Sequence, residues 1–283
     1  MAEIWRELNK SEDGRAIPSD EPHFGTFSPN AVQRMMIAMA RGSVLKRGVF
    51  RKSWTDLIQL AGQGTLDIEF RNCAYRIRGD RNLIDYGLLL NPDYNHLDID
   101  FLLDGAQAGS NFLDIGSNVG LYSLPMAKSA PAGITVSIDA NPLMAQRLLF
   151  NAEGSGIGNL RMISCAVSDQ DGRATLQIRK DDTAIVAVEE TADGDVPVRT
   201  LNAIVSELGL ASIHGLKIDI EGHEDKALVP FLSEAPDSQL PRRIVIEKAG
   251  PEEDYPGCTA AFGARGYVLE GRTRNNSLYR LPG

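Results

Sequence analysis

The chain has 283 residues, of which 43% are hydrophobic and 24% are charged, and its formal net charge is -9. These proportions are typical of a globular protein with a full core, and they exclude a mainly disordered or fibrous chain. The longest uninterrupted apolar run has six residues, whereas a membrane-spanning helix needs roughly 20. Three scattered cysteines and a charged N-terminus lead us to expect a reduced, cytoplasmic protein.

The acidic charge disfavours nucleic acid as a partner, because a phosphate backbone would repel it. One segment has the opposite character: no Asp or Glu occurs between Pro22 and Thr55. Six basic residues lie there, namely Arg34, Arg41, Lys46, Arg47, Arg51 and Lys52. The simplest interpretation is a solvated helix face, and the alternative is a surface that docks on an anionic substrate, a carrier protein or a membrane.

Residues 1–105 are predicted to form a small α+β cap. Ser28-Pro29 is typical of a helix start, with a hydroxyl cap followed by the ring that suits the first helical position. Four apolar residues follow at helical spacing and are predicted to pack into the core: Val32, Met35, Met36 and Met39. The alternation over residues 65–77, around Arg71-Asn72, predicts a hairpin.

Residues 106–283 show a different pattern, in which short apolar runs alternate with amphipathic stretches. The predicted strands are Asn111–Ile115, Ile134–Ile138, Leu160–Cys165, Leu216–Ile220 and Arg243–Ile246. The predicted helices are Leu121–Ser129, Leu143–Asn151, Leu201–Leu208 and Glu224–Leu232. This alternation indicates βαβ units around a doubly wound parallel sheet. Two short runs near the C-terminus, Tyr267–Glu270 and Ser277–Arg280, predict a hairpin that adds an antiparallel strand.

The end of the first predicted strand has the features of a ligand-binding turn. Asp114 lies near the end of this strand, and Gly116 and Gly120 bracket a short turn before a helix. Such a turn brings backbone N–H groups and a helix N-terminus to a ligand at the carboxyl edge of a sheet. A side chain at the glycine positions is expected to block that approach.

The second predicted strand ends in Asp139, 23 residues after Gly116. An acid at this spacing accepts hydrogen bonds from the ribose of a nucleoside, which NAD and S-adenosylmethionine both carry. Asn118 stands where the dinucleotide fingerprint has a glycine, and Asp114 suits a sulfonium cation better than a pyrophosphate. S-adenosylmethionine is therefore favoured, and a nicotinamide-dependent oxidoreductase and a methyltransferase-like binding or scaffold protein are the alternatives.

The fourth predicted strand carries three charged residues at its end. Strand alternation would place Lys217, Asp219 and Glu221 on one face. Because charged side chains are costly to bury in a central strand, this pattern predicts a polar site. The next strand brings Glu247 to the same edge of the sheet.

Together the segments D-I-G-S-N-V-G, I-D-A-N-P, L-K-I-D-I-E-G-H-E and I-V-I-E resemble the FkbM family of S-adenosylmethionine-dependent methyltransferases. The resemblance covers about residues 98–280. It implies a seven-stranded methyltransferase sheet with an antiparallel last strand, and S-adenosylhomocysteine as the product. It further implies methylation of a hydroxyl oxygen on a small molecule, sugar or secondary metabolite. Asp139-Ala-Asn-Pro142 and Ser117 depart from the usual family residues but keep the required chemistry.

The resemblance also implies roles for individual residues. The methionine part of the cofactor is assigned to Asp114, Gly116, Asn118 and Gly120. The ribose is assigned to Asp139, and the adenine neighbourhood to Asn141, Ala166, Val167 and Ser168. Tyr94 stands where the family often has an aromatic residue near the cofactor. The reacting methyl group is assigned to Asp219, with Glu221, His223 and Glu224 beside it.

Methylation of a hydroxyl requires a base for the hydroxyl proton. His223 titrates in the right range, and Asp219 or Glu247 would serve if neighbouring carboxylates raised its pKa. A third hypothesis is a divalent ion held by Asp219, Glu221 and Glu247. Because the sequence shows no metal-ligand spacing, we predict no resident metal. The acceptor is expected to be a small molecule or glycoside, selected by the first 95 residues.

Overall fold

The computed structural model describes residues 21–46, 50–79, 82–178, 186–191 and 193–282. The helices in these ranges are α1 (Ala31–Arg41), α2 (Phe50–Leu60), α3 (Leu83–Leu90), α4 (His96–Leu103), α5 (Ser123–Ser129), α6 (Pro142–Gly154), α7 (Leu201–Glu207), α8 (Glu224–Glu234) and α9 (Pro256–Ala264). The strands are β1 (Leu66–Phe70), β2 (Cys73–Ile77), β3 (Phe112–Ile115), β4 (Thr135–Ile138), β5 (Leu160–Ile163), β6 (Ala166–Ser168), β7 (Gly172–Ile178), β8 (Val186–Glu190), β9 (Val196–Thr200), β10 (Gly215–Ile218), β11 (Arg243–Glu247), β12 (Val268–Arg272) and β13 (Asn276–Arg280). None of these helices is both long enough and apolar enough to span a bilayer.

A seven-stranded sheet forms the centre of the fold, in the order β12-β13-β11-β10-β3-β4-β5. The five strands from β11 to β5 pair in parallel, and β13 pairs antiparallel with both β11 and β12. The predicted α/β sheet with its terminal antiparallel strand is therefore confirmed. The strands begin or end within about two residues of the predicted bounds, as is usual for element boundaries.

The sheet is buried on both faces by two separate apolar clusters. On one face, Leu113 and Ile218 pack with α7, α8 and α9. On the other face, Phe112 and Val245 pack with α5, α6 and the elements that precede residue 105. Burial on both faces explains why both faces of these strands carry apolar residues.

The elements before residue 105 are closely joined to the sheet. The predicted hairpin is present as β1 and β2, which pair antiparallel from Leu66↔Ile77 to Phe70↔Cys73. Arg147 on α6 donates to both carboxylate oxygens of Asp85 on α3, at 2.8 and 2.7 Å, and both side chains are buried. Leaving one partner of such a pair alone costs about 3–5 kcal/mol. The division of the chain at residue 105 stays a prediction, since one core contains residues from both sides of it.

The predicted start of the first helix is wrong by two residues. The N-cap of α1 is Asn30, whose side chain accepts from Gln33 N at 2.9 Å, while the Gln33 side chain accepts from Asn30 N at 3.0 Å. This reciprocal capping satisfies two N–H groups that the helix itself leaves unpaired. The Ser28 hydroxyl instead donates to the carbonyl of Gly25.

The predicted core face of α1 is also wrong. Three of the four residues predicted for the core, Val32, Met35 and Met39, are 52%, 58% and 54% exposed, and only Met36 packs against the core. The buried residues of α1 are Gln33, Ile37 and Ala40. The helix has two apolar stripes, and helical spacing alone does not indicate which of them faces inward.

A second, four-stranded sheet was not predicted. It has the order β6-β9-β7-β8 and lies in the segment that follows β5. Among the side chains that the structure describes, its apolar cluster contains Ala166, Ala174 and Val198. Its strands have three to seven residues, and runs this short give a weak periodic signal in the sequence.

Candidate active site

The candidate site is built on the carboxyl edge of four neighbouring strands. Their last register pairs on this edge join Ile138, Ile115, Ile218 and Ile246 across β4, β3, β10 and β11. The residue after each isoleucine therefore falls in one row along the edge: Asp139, Gly116, Asp219 and Glu247. Neighbouring strands lie about 4.8 Å apart, so the row brings distant parts of the sequence into contact.

A second polar row lies two residues earlier and is completely buried. It pairs Ser137, Asp114 and Lys217 in register, with 0%, 0% and 1% exposure. The Ser123 hydroxyl donates to Asp114 and accepts from the Ser137 hydroxyl. Burial raises the pKa of Asp114 to about 6, although Ser123 and Lys217 act in the opposite direction. Asp114 thus lies beneath the glycine turn, and its predicted contact with the methionine part of the cofactor stays a prediction.

The glycine turn is required by the packing of the strands. Gly116 has a φ of +80°, and a Cβ on it would lie 1.9 Å from the backbone oxygen of Asp219. The Asp219 backbone directly follows the central strand β10 and cannot move away by that amount. A side chain at Gly116 would therefore clash with this backbone, in addition to any ligand space that it would fill. Gly120 is also left-handed, with a φ of +93°.

Asp139 is held by the backbone on both sides. Its Oδ2 accepts from Asn118 N at 2.7 Å, and its Oδ1 accepts from Asn141 N at 2.8 Å. Burial raises the pKa of Asp139 to about 6, against the effect of these two N–H groups. The side chain of Asn141 in turn accepts from Leu143 N at 3.0 Å and begins α6. A carboxylate has further lone pairs, so Asp139 can still accept from ribose hydroxyls.

A narrow pocket opens beside Asp139. Its lining includes Gly116, Asp139, Ala166, Val167, Ile220 and His223. An acid near apolar walls fits a nucleoside, with the ribose on the carboxylate and the base between aliphatic side chains. Of the residues predicted near the adenine, Ala166 lines this pocket, whereas Ser168 is 3% exposed and donates to Asp169.

Asp219, Glu224 and Glu247 form a carboxylate cluster, in which one oxygen from each lies within 4.8 Å of the others. Lys217 Nζ donates to Asp219 Oδ2 at 3.3 Å and to the carbonyl of Ile218 at 2.9 Å. Burial, followed by the neighbouring Asp219 carboxylate, raises the pKa of Glu247 to about 9. At neutral pH the Asp219–Glu247 pair therefore holds a proton that two exposed carboxylates would release.

Glu221 and Glu224 differ from the predicted arrangement. Strand β10 ends at Ile218, and Glu221 adopts a φ of 55°, so the alternation that would place Glu221 beside Asp219 does not continue. Glu221 is exposed, whereas Glu224 is buried. The two oxygens of Glu224 accept from Ile220 N at 2.8 Å and from Gly222 N at 2.9 Å, which fixes this turn.

His223 lies beside the pocket that Asp139 lines. It lines the pocket that also contains Asp139 and Ala166, and it occupies the N-cap position of α8 without a side-chain cap bond. The metal-compatible cluster among the described residues consists of carboxylates and does not include this histidine. A role for His223 as the base stays a prediction.

A largely buried polar network next to Lys217 was missed by the sequence analysis. Asn95 donates to the Tyr122 hydroxyl at 2.7 Å, and Tyr122 donates to Asp98 Oδ2 at 3.2 Å. Asn276 on β13 donates to the same Asp98 oxygen at 2.7 Å. The Lys217 ammonium lies 5.4 Å from the centre of the Tyr122 ring, so this network adjoins the carboxylate cluster. No regular spacing links these residues in the sequence.

Tyr94 precedes this network in the chain. Its ring packs closely on α3, because a Cβ added at Gly87 would lie 2.4 Å from the ring. Tyr94 also lies near Tyr122. Burial, Asp98 and Asp219 raise the pKa of the Tyr122 hydroxyl, and the negative charge of an ionised Tyr94 would add to this effect. Tyr94 therefore lies near Gly87 and Tyr122, and its predicted contact with the cofactor stays a prediction.

Asn82 is a second residue that the sequence analysis missed. It is completely buried, and its Nδ2 donates to Asn118 Oδ1 at 2.8 Å. Its Oδ1 accepts from Ile84 N at 2.9 Å and caps α3. Asn118 itself has a left-handed φ of 49°, and its N–H holds Asp139. The Asn82 side chain therefore joins the N-terminal elements to the turn that positions Asp139.

Comparison with known families explains this arrangement. The profile of the methyltransferase FkbM domain matches residues 114–269, more than half of the 283 residues. The chain belongs to this family. Its methyl donor is S-adenosylmethionine, and S-adenosylhomocysteine is the product. Because the chain is a methyltransferase, the nicotinamide-dependent alternative no longer applies.

Solved structures show the same kind of similarity at a low level. M. jannaschii TYW2 in complex with AdoMet is 11% identical, with 77% of this chain and 87% of that one covered and a TM-score of 0.44. A SAM-dependent methyltransferase from Agrobacterium tumefaciens is 13% identical, with 76% and 69% covered and a TM-score of 0.43. The O-methyltransferase TomG from Streptomyces achromogenes is 13% identical, with 66% and 80% covered and a TM-score of 0.40. Similarity at this level does not identify an acceptor, and no curated protein matches the sequence.

Proposed function

We propose that this methyltransferase transfers the methyl group to a hydroxyl oxygen of a small molecule or sugar-like acceptor. The observation that carries the proposal is the Asp219–Glu247 pair, which lies at the carboxyl edge next to Gly116. A hydroxyl is a poor nucleophile until its proton is removed, and a carboxylate in contact with a second carboxyl group is suited to remove it.

Bound S-adenosylmethionine supplies a methyl group on a good leaving group. Asp219 accepts the proton of the acceptor hydroxyl while the new O–C bond forms and the C–S bond breaks. Lys217 holds Asp219 in place through its contact with Oδ2. Because the lysine is buried and also bonded to the Ile218 carbonyl, the position of Asp219 is fixed before the acceptor binds.

Glu247 is assigned the role of a protonated partner. Its pKa of about 9 keeps a proton on the pair at neutral pH, so the pair presents one negative charge and one hydrogen-bond donor. The donor can hold the acceptor oxygen, or Asp219 itself, in the orientation needed for transfer. Glu224 contributes by holding the turn from Ile220 to Gly222.

The spacing of the same cluster is also compatible with a metal ion, since one oxygen from each of its three carboxylates lies within 4.8 Å of the others. One feature favours proton transfer over metal binding. The Lys217 ammonium already lies against Asp219, where it would repel a cation.

The charge of the molecule supports a small acceptor. The protein has a net charge of -9 and a cluster of three carboxylates at the carboxyl edge of the sheet, so it would repel an RNA backbone. Asn95, the half-buried member of the neighbouring network, adds an amide group that suits a neutral, hydroxyl-rich molecule.

The proposal is tested with isotope-labelled S-adenosylmethionine and matched acceptors. The panel contains glycosides, phenols and aliphatic alcohols, the corresponding amines, and total RNA as a competitor class. We expect label in an ether that survives mild acid and base, identified by mass spectrometry, and no label in RNA. Transfer to the amines or to RNA, with none to any hydroxyl, would contradict the proposal.

A further inference from the structure

The first two helices expose an unusual amount of apolar surface. Among the described residues, seven of the twelve large hydrophobic side chains that are exposed lie between residues 32 and 60. They are Val32, Met35, Met39, Val44, Phe50, Leu57 and Leu60, with exposures from 48% to 79%. Single exposed hydrophobic residues are ordinary, whereas a concentration in one segment marks an interaction surface.

These side chains form stripes that point away from the core. Val32, Met35 and Met39 are spaced three and four residues apart, which places them on one face of α1. The opposite stripe contains Ile37, which packs into the core together with Ile58 of α2. Each helix thus has one apolar stripe that stabilises the fold and a second one that no described residue covers.

The two helices are fixed against each other, so the outer stripes form part of a rigid surface. Asn30, which caps the start of α1, donates to the carbonyl of Ala61, just after the end of α2. In the middle of the pair, Trp54 Nε1 donates to the carbonyl of Met36 at 3.1 Å. These contacts make α1 and α2 antiparallel. We call the outward side of α1, α2 and the short helical turn Val44–Lys46 between them the docking face.

The charge of this segment is opposite to that of the molecule. The described residues of the segment include Arg34, Arg41, Lys46, Arg51 and Lys52, and Asp56 is the only acid on either helix. Arg47 belongs to the same basic stretch of the sequence and lies outside the described residues. Because the whole chain carries -9, an anionic surface would attract the docking face and repel the remainder of the protein.

We propose that the docking face binds peripherally to the surface of an anionic lipid bilayer. Helices with apolar residues on one side and Lys or Arg beside them lie in the interface of such membranes, with the apolar side chains among the acyl chains. The basic residues add attraction to the negative headgroups. A second copy of the chain would oppose basic to basic residues, and an RNA would leave the exposed aliphatic and methionine side chains without a partner.

The docking face is close to the cofactor turn. Arg41 on α1 donates to the carbonyl of Leu89 on α3 at 3.2 Å, and α3 begins at Asn82, which holds Asn118. One helix therefore separates the docking face from the turn that positions Asp139. Membrane binding would orient the site relative to the lipid surface without any change in the residues that carry out the reaction.

Flotation with lipid vesicles tests the proposal on the full-length protein. Wild-type protein should float with vesicles of phosphatidylcholine and phosphatidylglycerol and remain at the bottom with pure phosphatidylcholine. Raised salt should weaken the binding, because screening reduces the electrostatic part. The variant Met35→Ser/Met39→Ser and the variant Arg34→Glu/Lys52→Glu should each lower the floating fraction by about tenfold.

A matched control comes from the edge strand β12, where Val268 and Leu269 are 49% and 36% exposed. The variant Val268→Ser/Leu269→Ser should float like wild type. Binding of S-adenosylmethionine, measured by calorimetry, should be unchanged in all three variants, which shows that they are folded. Failure of the wild type to float would overturn the proposal, and so would equal flotation of all variants. A dimer that Met35→Ser/Met39→Ser makes monomeric, or retention on RNA without flotation, would assign the face to another occupant.

Discussion

The cofactor half and the carboxylate half of the site are held in place by different kinds of contact. In the cofactor half, Asp139 is fixed by two backbone N–H groups, from Asn118 and Asn141. In the carboxylate half, Asp219 is fixed by the side chain of Lys217 and by its neighbour Glu247. The first arrangement depends on the path of the main chain, and the second depends on charge and protonation.

This difference predicts two kinds of response to substitution. Changes in the cofactor half should appear as a loss of affinity for S-adenosylmethionine, because the contacts exist before the reaction begins. Changes in the carboxylate half should appear in turnover and in its pH dependence, because proton removal belongs to the transition state. The following predictions test whether the two halves separate in this way.

The largest effect is expected for Asp219→Asn. We expect turnover to fall by about 10²-fold or more, the scale of lost general-base catalysis. Affinity for S-adenosylmethionine should change little. The control is Glu153→Gln, which alters an exposed carboxylate on α6 and should leave turnover near wild type. Full turnover in Asp219→Asn would show that the motif is structural.

The second effect is expected for Asp139→Ala. Loss of a charged hydrogen-bond acceptor for the ribose should weaken S-adenosylmethionine binding by about 1.5–3 kcal/mol, measured by calorimetry. Turnover at saturating cofactor should be retained to a much larger extent than in Asp219→Asn. The control is Asp237→Ala, which removes an exposed acid that follows α8 in the sequence. Unchanged affinity in Asp139→Ala would remove the ribose assignment.

The sequence indicated the cofactor half more completely than the carboxylate half, for a physical reason. The apolar runs and the spacing of Gly116 and Asp139 are local signals of a strand, a turn and a second strand. The row that joins Asp219 to Glu247 also follows from two parallel strands in register. The left-handed turn at Glu221 breaks the alternation, and no local pattern indicates this break.

The N-terminal elements were harder to predict. The helical spacing of α1 is correct, but two apolar stripes compete for the core, and the stripe that contains Met35 and Met39 is the exposed one. Asn82 lies 36 residues before Asn118, and a contact between two asparagines at that distance leaves no periodic signal. Such contacts depend on how whole elements pack, which a single sequence does not specify locally.

A smaller effect on the cofactor half is expected for Asn82→Ala. The variant removes the contact with Asn118 and should raise the KM for S-adenosylmethionine by about three- to tenfold, with kcat retained. It should also lower the stability by about 0.5–2 kcal/mol, because α3 loses its cap. Asn159→Ala is the matched control, since its side chain donates to the carbonyls of Ala127, Ala130 and Gly133. This control should lower the melting temperature without a change in KM, and an equal KM in both variants would contradict the positioning role.

The smallest effect on turnover at neutral pH is expected for Glu247→Gln. The raised pKa of Glu247, about 9 against an ordinary value of 4.5, means that the folded protein keeps a proton that the unfolded chain releases between these values. The free energy of unfolding should therefore fall as the pH rises through this window, and the glutamine variant lacks this loss. Its melting temperature relative to wild type should increase from pH ~5 to pH ~9. Because the amide keeps a hydrogen-bond donor, turnover near pH ~7 should stay within about threefold of wild type and should hold better in alkali. Parallel pH profiles of stability for the two proteins would show that Glu247 is ionised in the folded state and that the carboxylate half is not held by a shared proton.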